Sequence, residues 1–409
     1  MGVSTTLSTL NNQGLFAMYA HTTTIFNQLL DFVPKDKFNR FVGQHEADRY
    51  VKSLTTWNQF VALLFAQATG KDSLREIETG FSVHQNLWYH LGVSSVARST
   101  LSDANARRDW RIFRDLFGEV LLRCRDVTPT RNRFAFDNPL YALDSTTVSL
   151  CLSIFDWAHY SRQKGALKLH TLLDVRTAIP EVVVVSTGKT ADIAAGKRLD
   201  LSCLEKHSIL VFDRGYIDYV WWHELTEAGL FFVSRVKLST AITVLGQHLP
   251  PDCAHGILKD ARVFIGEHCG YETYPEAVRM VVYHDCERDE TFTYLTNNFE
   301  LSATDIALIY KQRWQIELFF KWIKQHLKIK TFLGTSENAV LTQIWVAMIY
   351  YLLLAYIKFQ TKYSKSLLEL TRLFRETLLI RRHLVDVLSL TARTVARLTM
   401  RDGPQMGLF

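Results

Sequence analysis

Between residues 141 and 236 the chain reads as strands in a fixed order, and this order limits its fold more than any other feature. Tyr141 to Leu150, Ala166 to Val175 and Glu181 to Thr187 are strand-like, with turns near Lys164-Gly165 and Ala178-Ile179-Pro180. A helix is predicted around Leu199 to Lys206. Then comes Ser208-Ile-Leu-Val-Phe-Asp213, a short apolar run that ends in a carboxylate. Such a run fits a central strand buried on both faces. Ligands of open α/β sheets gather at the C-terminal ends of strands, which is where Asp213 stands. A helix over Ile217 to Ala228 and a strand over Leu230 to Val236 complete the pattern. A mixed α/β sheet is the expectation.

The flanks differ in texture. Residues 1–137 read as mostly helical, with helical apolar spacing over Asn58 to Ala68 and Arg107 to Arg123 and almost no proline before Pro129. Arg98, Arg107, Arg108, Arg111 and Arg114 could face a DNA backbone from a helix-turn-helix, although short helices with arginines are common. Residues 238–300 interrupt the sheet order with glycines, Pro250-Pro251 and strand-like pieces at Ala261 to Ile265, Val278 to Tyr283 and Thr291 to Thr296, a β-rich insertion. Residues 301–357 return to helix, and 358–409 form a basic helical region. Its ten Lys and Arg against four acidic residues net +6, the formal charge of the whole chain. Positive charge gathered at one end points to a polyanionic partner.

One predicted helix carries a stripe. In Tyr-Lys-Gln-Arg-Trp-Gln-Ile-Glu-Leu-Phe-Phe-Lys-Trp-Ile-Lys, the residues Tyr310, Arg313, Glu317 and Lys324 fall within roughly 60° at about 100° per residue. Leu308, Ile316, Leu318, Phe319, Trp322 and Ile323 lie broadly opposite, as a core-facing side should. One carboxylate is framed by two cations and a phenol. A carboxylate ligates hard cations, while Arg and Lys hold phosphate oxygens. For an arbitrary amphipathic helix a solvated charge stripe would explain as much. Two further carboxylates shift the balance: Asp144, inside a strand in Ala-Leu-Asp-Ser-Thr-Thr-Val, and Asp213. Strands are poor in Asp. Three carboxylates on separate elements of one mixed sheet can converge on two Mg²⁺ ions and cleave a phosphodiester.

These residues resemble a known family. Tyr310, Arg313, Glu317 and Lys324 match, without a gap, the Tyr-x2-Arg-x3-Glu-x6-Lys signature of one group of DDE transposases of bacterial insertion sequences. Asp144 in Leu-Asp-Ser-Thr and Asp213 in Phe-Asp-Arg-Gly-Tyr match the contexts of that family's two aspartates. The resemblance covers roughly residues 138–355. It implies an RNase H-like catalytic core, formed by 138–237 and 301–357 around the insertion, with an accessory or DNA-binding domain in 1–137. Asp144, Asp213 and Glu317 would be catalytic and hold Mg²⁺, with Mn²⁺ substituting. Tyr310, Arg313 and Lys324 would contact DNA, with Lys321, Lys328 and Lys330 extending the track. The partners implied are double-stranded DNA, both transposon ends and target, and a second copy in a homodimeric synaptic complex. Water would free a 3′-hydroxyl at the transposon end, a hairpin would form in well-studied members, and the 3′-hydroxyl would join target DNA. A well-studied member stacks a flipped base on a tryptophan in its insertion. Here no Trp occurs between Trp222 and Trp314, which leaves Phe264, Tyr271, Tyr274, Tyr283 or Phe292.

Other signals carry less. Six cysteines lack disulfide-framework spacing and any C-x-x-C pair, and no signal peptide is visible. The expectation is a cytoplasmic protein, at the nucleoid when bound to DNA. Leu341 to Ile357 is strongly apolar but slightly short for a span and holds Gln343, so a buried helix is expected rather than a membrane segment. Cys253, His255, His268, Cys269, His284 and Cys286 crowd the insertion without zinc spacing. Gly188-Lys189-Thr190 resembles a P-loop end, but Val183 stands where the first glycine belongs. His170 reads as a core histidine and Trp221-Trp222 as packing. Two alternatives remain: a metal-dependent nuclease of the same fold that joins nothing, and a transposase descendant that only binds DNA.

Overall fold

A computed structural model describes residues 23–128, 135–151, 154–161, 164–236, 240–266, 274–327, 329 and 331–389. The chain forms two compact units, Pro129–Lys321 and Met1–Thr128 with Trp322–Phe409.

The Pro129–Lys321 unit is built on one sheet of ten strands among the described residues: β1 (Leu140–Leu150), β2 (His159–Ser161), β3 (Lys164–Asp174), β4 (Ile179–Thr187), β5 (Ile209–Phe212), β6 (Phe231–Arg235), β7 (Ile242–Leu249), β8 (Ile257–Ile265), β9 (Val278–Asp285) and β10 (Glu290–Thr296). β3 pairs antiparallel with β1 on one side and with β4 on the other. β5 joins β1 in parallel and β6 joins β5 in parallel. The order β4-β3-β1-β5-β6 follows from connection length. Tight turns return the chain antiparallel, whereas parallel neighbours need a crossover, supplied between β5 and β6 by the helix Tyr219–Glu227. This mixed sheet, with the insertion entering between Asp213 and Glu317, is the RNase H-like arrangement that the resemblance implies.

The insertion strands extend the same sheet. β10 pairs with β6, and β9, β8 and β7 follow in an antiparallel meander. β7, which the sequence reading missed, is the outer edge. Its residues are mostly exposed, and its register shifts twice, between Val244 and Gly246 and between Gln247 and Leu249. Irregular edges of this kind resist further pairing.

Behind β5 and β6 the sheet is sealed by aromatic residues. Trp222 packs on Phe232 with ring centroids 4.6 Å apart, and its indole N–H donates to the Tyr216 carbonyl. Trp221 and Trp222 are both buried, as packing residues should be. A buried ion pair ties the insertion to the next helix. Arg279 grips Asp260 with two bonds, Nε to Oδ1 (2.9 Å) and Nη2 to Oδ2 (2.7 Å), while Nη1 donates to the carbonyls of Asn298 and Leu301. Both side chains are fully buried. The helix Ala303–Gln312 starts from that anchored loop, capped by the Ser302 hydroxyl.

Two local expectations change. Leu199 to Lys206 is a series of turns, because Asp200 Oδ1 accepts from the Ser202 N–H and hydroxyl and holds the chain in a side-chain-stabilised turn; the helix lies earlier, at Asp192–Gly196. The stripe helix is interrupted, with Ala303–Gln312 ending at Arg313 and Trp314–His326 beginning after it. Across the junction, Arg313 N–H bonds to the Tyr310 carbonyl and Ile316 N–H to that of Arg313, three-residue steps that tighten the turn there.

The other unit is helical. Its central helix, Glu337–Gln360, is long and apolar enough to cross a membrane, yet 94% of its most apolar window is buried. Gln343 is satisfied there, taking the Leu333 N–H and donating to the Thr331 carbonyl. Helix Arg111–Val127 packs along it, with Trp110 stacked on Trp345. Arg108 does not face outward. It donates to the Leu54 carbonyl and to Gln59 and lies near Asp48, so of the five arginines singled out in this region it is a structural one. Arg111 and Arg114 are exposed but pair with Asp109 and Asp115.

Candidate functional site

β1 and β5 run parallel with Leu143 opposite Phe212. One residue further on, Asp144 and Asp213 stand side by side. Asp213 caps the turn that follows β5, with Oδ1 accepting the Gly215 N–H at 2.8 Å. A Cβ on Gly215 would lie 2.9 Å from that same oxygen, so the turn needs glycine for the close approach. Asp144 Oδ1 accepts the N–H of Ser145 at 2.7 Å.

Arg313 connects these strands to the helix. Its Nη1 lies 3.4 Å from Asp144 Oδ2 and its Nη2 lies 2.5 Å from Glu317 Oε1, one turn further along. The junction at Arg313 thus sits where the side chain must reach the sheet. Tyr310 packs against Tyr294 of β10, with centroids 4.8 Å apart, and the Arg313 guanidinium lies 5.9 Å from the Tyr310 ring.

The electrostatics follow from this crowding. Burial pushes the Asp144 carboxyl up to about 6; the Ser145 N–H and Arg313 oppose the rise, and Asp213 and Glu317 reinforce it. For Arg313, burial disfavours the charge, but Tyr310, Glu317 and Asp144 outweigh it and raise its pKa. Tyr310 is raised by burial, with Arg313 opposing and Asp213 assisting. The cluster is therefore short of positive charge, and the guanidinium already stands between two of its carboxylates.

Among the described residues no group of three His, Cys, Asp or Glu side chains is poised to hold a metal as it stands. Arg313 contacts an oxygen of Asp144 and one of Glu317. The donor set itself suits a hard cation: three carboxylates, one of them made reluctant to ionise first by burial and then by its acidic neighbours.

The structure thus brings together Asp144, Asp213, Tyr310, Arg313 and Glu317. Lys321 is exposed on the helix after Glu317. Lys324 belongs to the other unit. Lys328 and Lys330 lie outside the described residues, as do Tyr271, His268 and Cys269. Of the remaining insertion aromatics, Tyr274 is buried and bonded to Thr226, and Phe292 is buried with the Arg235 guanidinium 4.6 Å from its ring. Neither is free to stack on a base. His170 is fully buried, with Nε2 2.8 Å from the Ser186 hydroxyl, and burial lowers its pKa to about 4, so it is neutral.

Sequence reasoning passed over Ser145, Lys168 and Asp192. Ser145 donates to Asp192 Oδ1 at 2.7 Å, and Lys168 donates to the same oxygen at 3.1 Å. The available signal was Lys168 itself, a charged residue in the middle of an apolar strand.

Comparison with known proteins bears on the whole arrangement. A family model described as "Transposase DDE domain" matches residues 135–353, and one described as "Domain of unknown function (DUF4372)" matches residues 21–94. A Sinorhizobium fredii protein named as a transposase is 32% identical over 72% of this chain and 80% of its own length. A Geobacillus stearothermophilus protein named as the transposase of insertion sequence element IS5377 is 30% identical over 64% of this chain and 68% of its own. A solved structure of the piggyBac transposase synaptic complex with hairpin DNA aligns over 93% of this chain and 84% of that one at 11% identity, with a TM-score of 0.44. At that level of likeness the fold assignment rests on the strand order alone.

Proposed function

The chain belongs to the DDE transposase family and is a DNA transposase, and from that premise we propose that Asp144, Asp213 and Glu317 are its catalytic carboxylates. Transposases of this family use divalent metal. In our reading the ion here is Mg²⁺, with Mn²⁺ able to replace it, held by these three side chains. What carries the reading is one observation: Asp144 on β1 and Asp213 at the end of the parallel β5 stand beside each other, and Glu317, far away in sequence, meets Asp144 at the same guanidinium.

Asp144, Asp213 and Glu317 would hold the ion, whose chemistry would be activation of the attacking oxygen and stabilisation of the leaving one. Arg313 neutralises Asp144 and Glu317 in its absence. The guanidinium is also suited, by its planar fork, to a DNA phosphate. Tyr310, propped on Tyr294, positions the phosphate and forms no covalent bond to it. Lys321, Lys324 and Lys328 also contact DNA, and the flanking regions 1–137 and 358–409 hold more distant DNA. The substrates are the insertion-sequence ends, cut first, and the target DNA to which they are joined. Two ends must be held together for joining, so the reading includes a homodimer in the synaptic complex, acting in the cytoplasm at the nucleoid.

The test is a time course with purified protein, Mg²⁺ and end-labelled DNA carrying the element's own ends, resolving nicked, hairpin and joined products. Joined DNA is expected from wild type, and no nicking from Asp144→Ala, Asp213→Ala or Glu317→Ala, with end binding retained. Cleavage without joining would make the protein a nuclease, and cleavage by Glu317→Ala would remove that residue from the site.

A further inference from the structure

A fourth carboxylate stands beside the site with no role in the reading above. Asp192 follows β4. Its Oδ1 accepts both the Ser145 hydroxyl and the Lys168 ammonium, and His170 Nδ1 lies 3.8 Å from it. Lys168 also donates to the Thr190 carbonyl at 3.1 Å. Ser145 is the residue whose N–H bonds to Asp144, so Asp192 holds the neighbour of a catalytic carboxylate by its side chain. The other oxygen points a different way. A Cβ on Gly215 would lie 3.6 Å from Asp192 Oδ2 and 2.9 Å from Asp213 Oδ1, so the Asp192 and Asp213 carboxylates flank one point of the backbone.

Two fully buried polar groups face this cluster without a hydrogen-bond partner among the described residues: the Tyr216 hydroxyl and His170 Nδ1. The Tyr216 hydroxyl approaches Ser145 without completing a bond. Burial pushes its pKa up, and Asp144, Asp192 and Asp213 push it further. Buried polar atoms rarely go unpaired, and a water between them and the carboxylates would satisfy both.

Charge decides what Asp192 contributes. The Lys168 side chain is only 16% exposed. Left unneutralised, its ammonium would oppose a cation beside Asp213, whose carboxylate shares the Gly215 turn with that of Asp192. We propose that Asp192 is a positioning residue of the catalytic site: it cancels the charge of Lys168 and holds Ser145, so that Asp144 and Asp213 keep the placement and negative potential a divalent cation requires. The inference rests on the reading of those two aspartates as ion ligands.

The experiment measures Mn²⁺ affinity of the full chain by calorimetry, without DNA. Asp192→Asn keeps an oxygen for Ser145 but loses the charge, and should bind Mn²⁺ about 10-fold more weakly or worse, the usual range for a lost outer partner of a metal ligand. Adding Lys168→Met to it should recover most of that loss, because no ammonium remains to be cancelled. Lys168→Met alone should bind at least as tightly as wild type. Unchanged affinity in Asp192→Asn, no recovery in the double variant, or weaker binding by Lys168→Met overturns the inference. Asp213→Asn separates the two levels of argument. If it binds Mn²⁺ like wild type, the metal reading itself fails and the role of Asp192 falls with it. If it loses binding while Asp192→Asn does not, only the role of Asp192 fails.

Discussion

Asp144→Asn should make the metal-free protein more stable while destroying its activity. The carboxyl of Asp144 is held at about 6 against an ordinary value of 3.8. At about 1.4 kcal/mol for each tenfold change, this costs the folded state about 3 kcal/mol whenever the carboxylate is charged. The side chain is 19% exposed, so solvent screening removes little of this. The sign is fixed by the direction of the shift. The folded pKa lies above the unfolded one, so the penalty is absent below pH 4, grows between 4 and 6, and is complete above 6. Asn keeps an oxygen for the Ser145 N–H, and Arg313 keeps Glu317. For a unit of the size of Pro129–Lys321, about 3 kcal/mol is roughly 6 to 12 °C in melting temperature. The assay is a series of calorimetric melts of both proteins in EDTA from pH 4 to pH 8. The Asn variant should gain on wild type as pH rises through 5 and hold its lead above 6. Adding Mn²⁺ should raise the wild-type transition and leave that of the variant nearly still. A lead that does not change with pH, or a variant that melts below wild type at pH 8, would refute the electrostatic account of this site.

Arg313→Ala should slow cleavage yet bind Mn²⁺ at least as tightly as wild type by calorimetry, since the guanidinium and the ion compete for Asp144 and Glu317; weaker binding would give Arg313 a supporting role toward the ion. Arg279→Ala should destabilise the sheet unit by about 3–5 kcal/mol, because it leaves Asp260 charged and buried, and denaturant titration would show it as a lowered midpoint. Arg381 and Arg382 are exposed, and replacing both with Ala should flatten the salt dependence of DNA binding if they meet phosphate; an unchanged slope would place them on a solvated face.

Much of this protein was legible before any coordinates. The strand runs around Asp144 and Asp213, the apolar seal at Trp221-Trp222 and the spacing from Tyr310 to Glu317 all lie in short stretches, where side-chain alternation and helical period record which face is buried. Even the apolar stretch around Leu341 declared itself as a core helix, because Gln343 needs internal partners. The register was less legible, and partners across the sheet not at all. The Asp200 turn stands where a helix was expected, since two hydrogen bonds to one side chain decide so short a segment. Nothing in residues 238–300 said that β10 would pair with β6 and carry the sheet onward, or that Arg279 would find Asp260. Pairing between strands depends on which edges remain free after the rest has folded. The same holds at the site. The sequence supplied three carboxylates and a stripe of cations, but only the folded chain lodged Arg313 between Asp144 and Glu317 and set Asp192 with Lys168 behind them, because the ionisation of a buried charge depends on neighbours that the chain brings together from far apart.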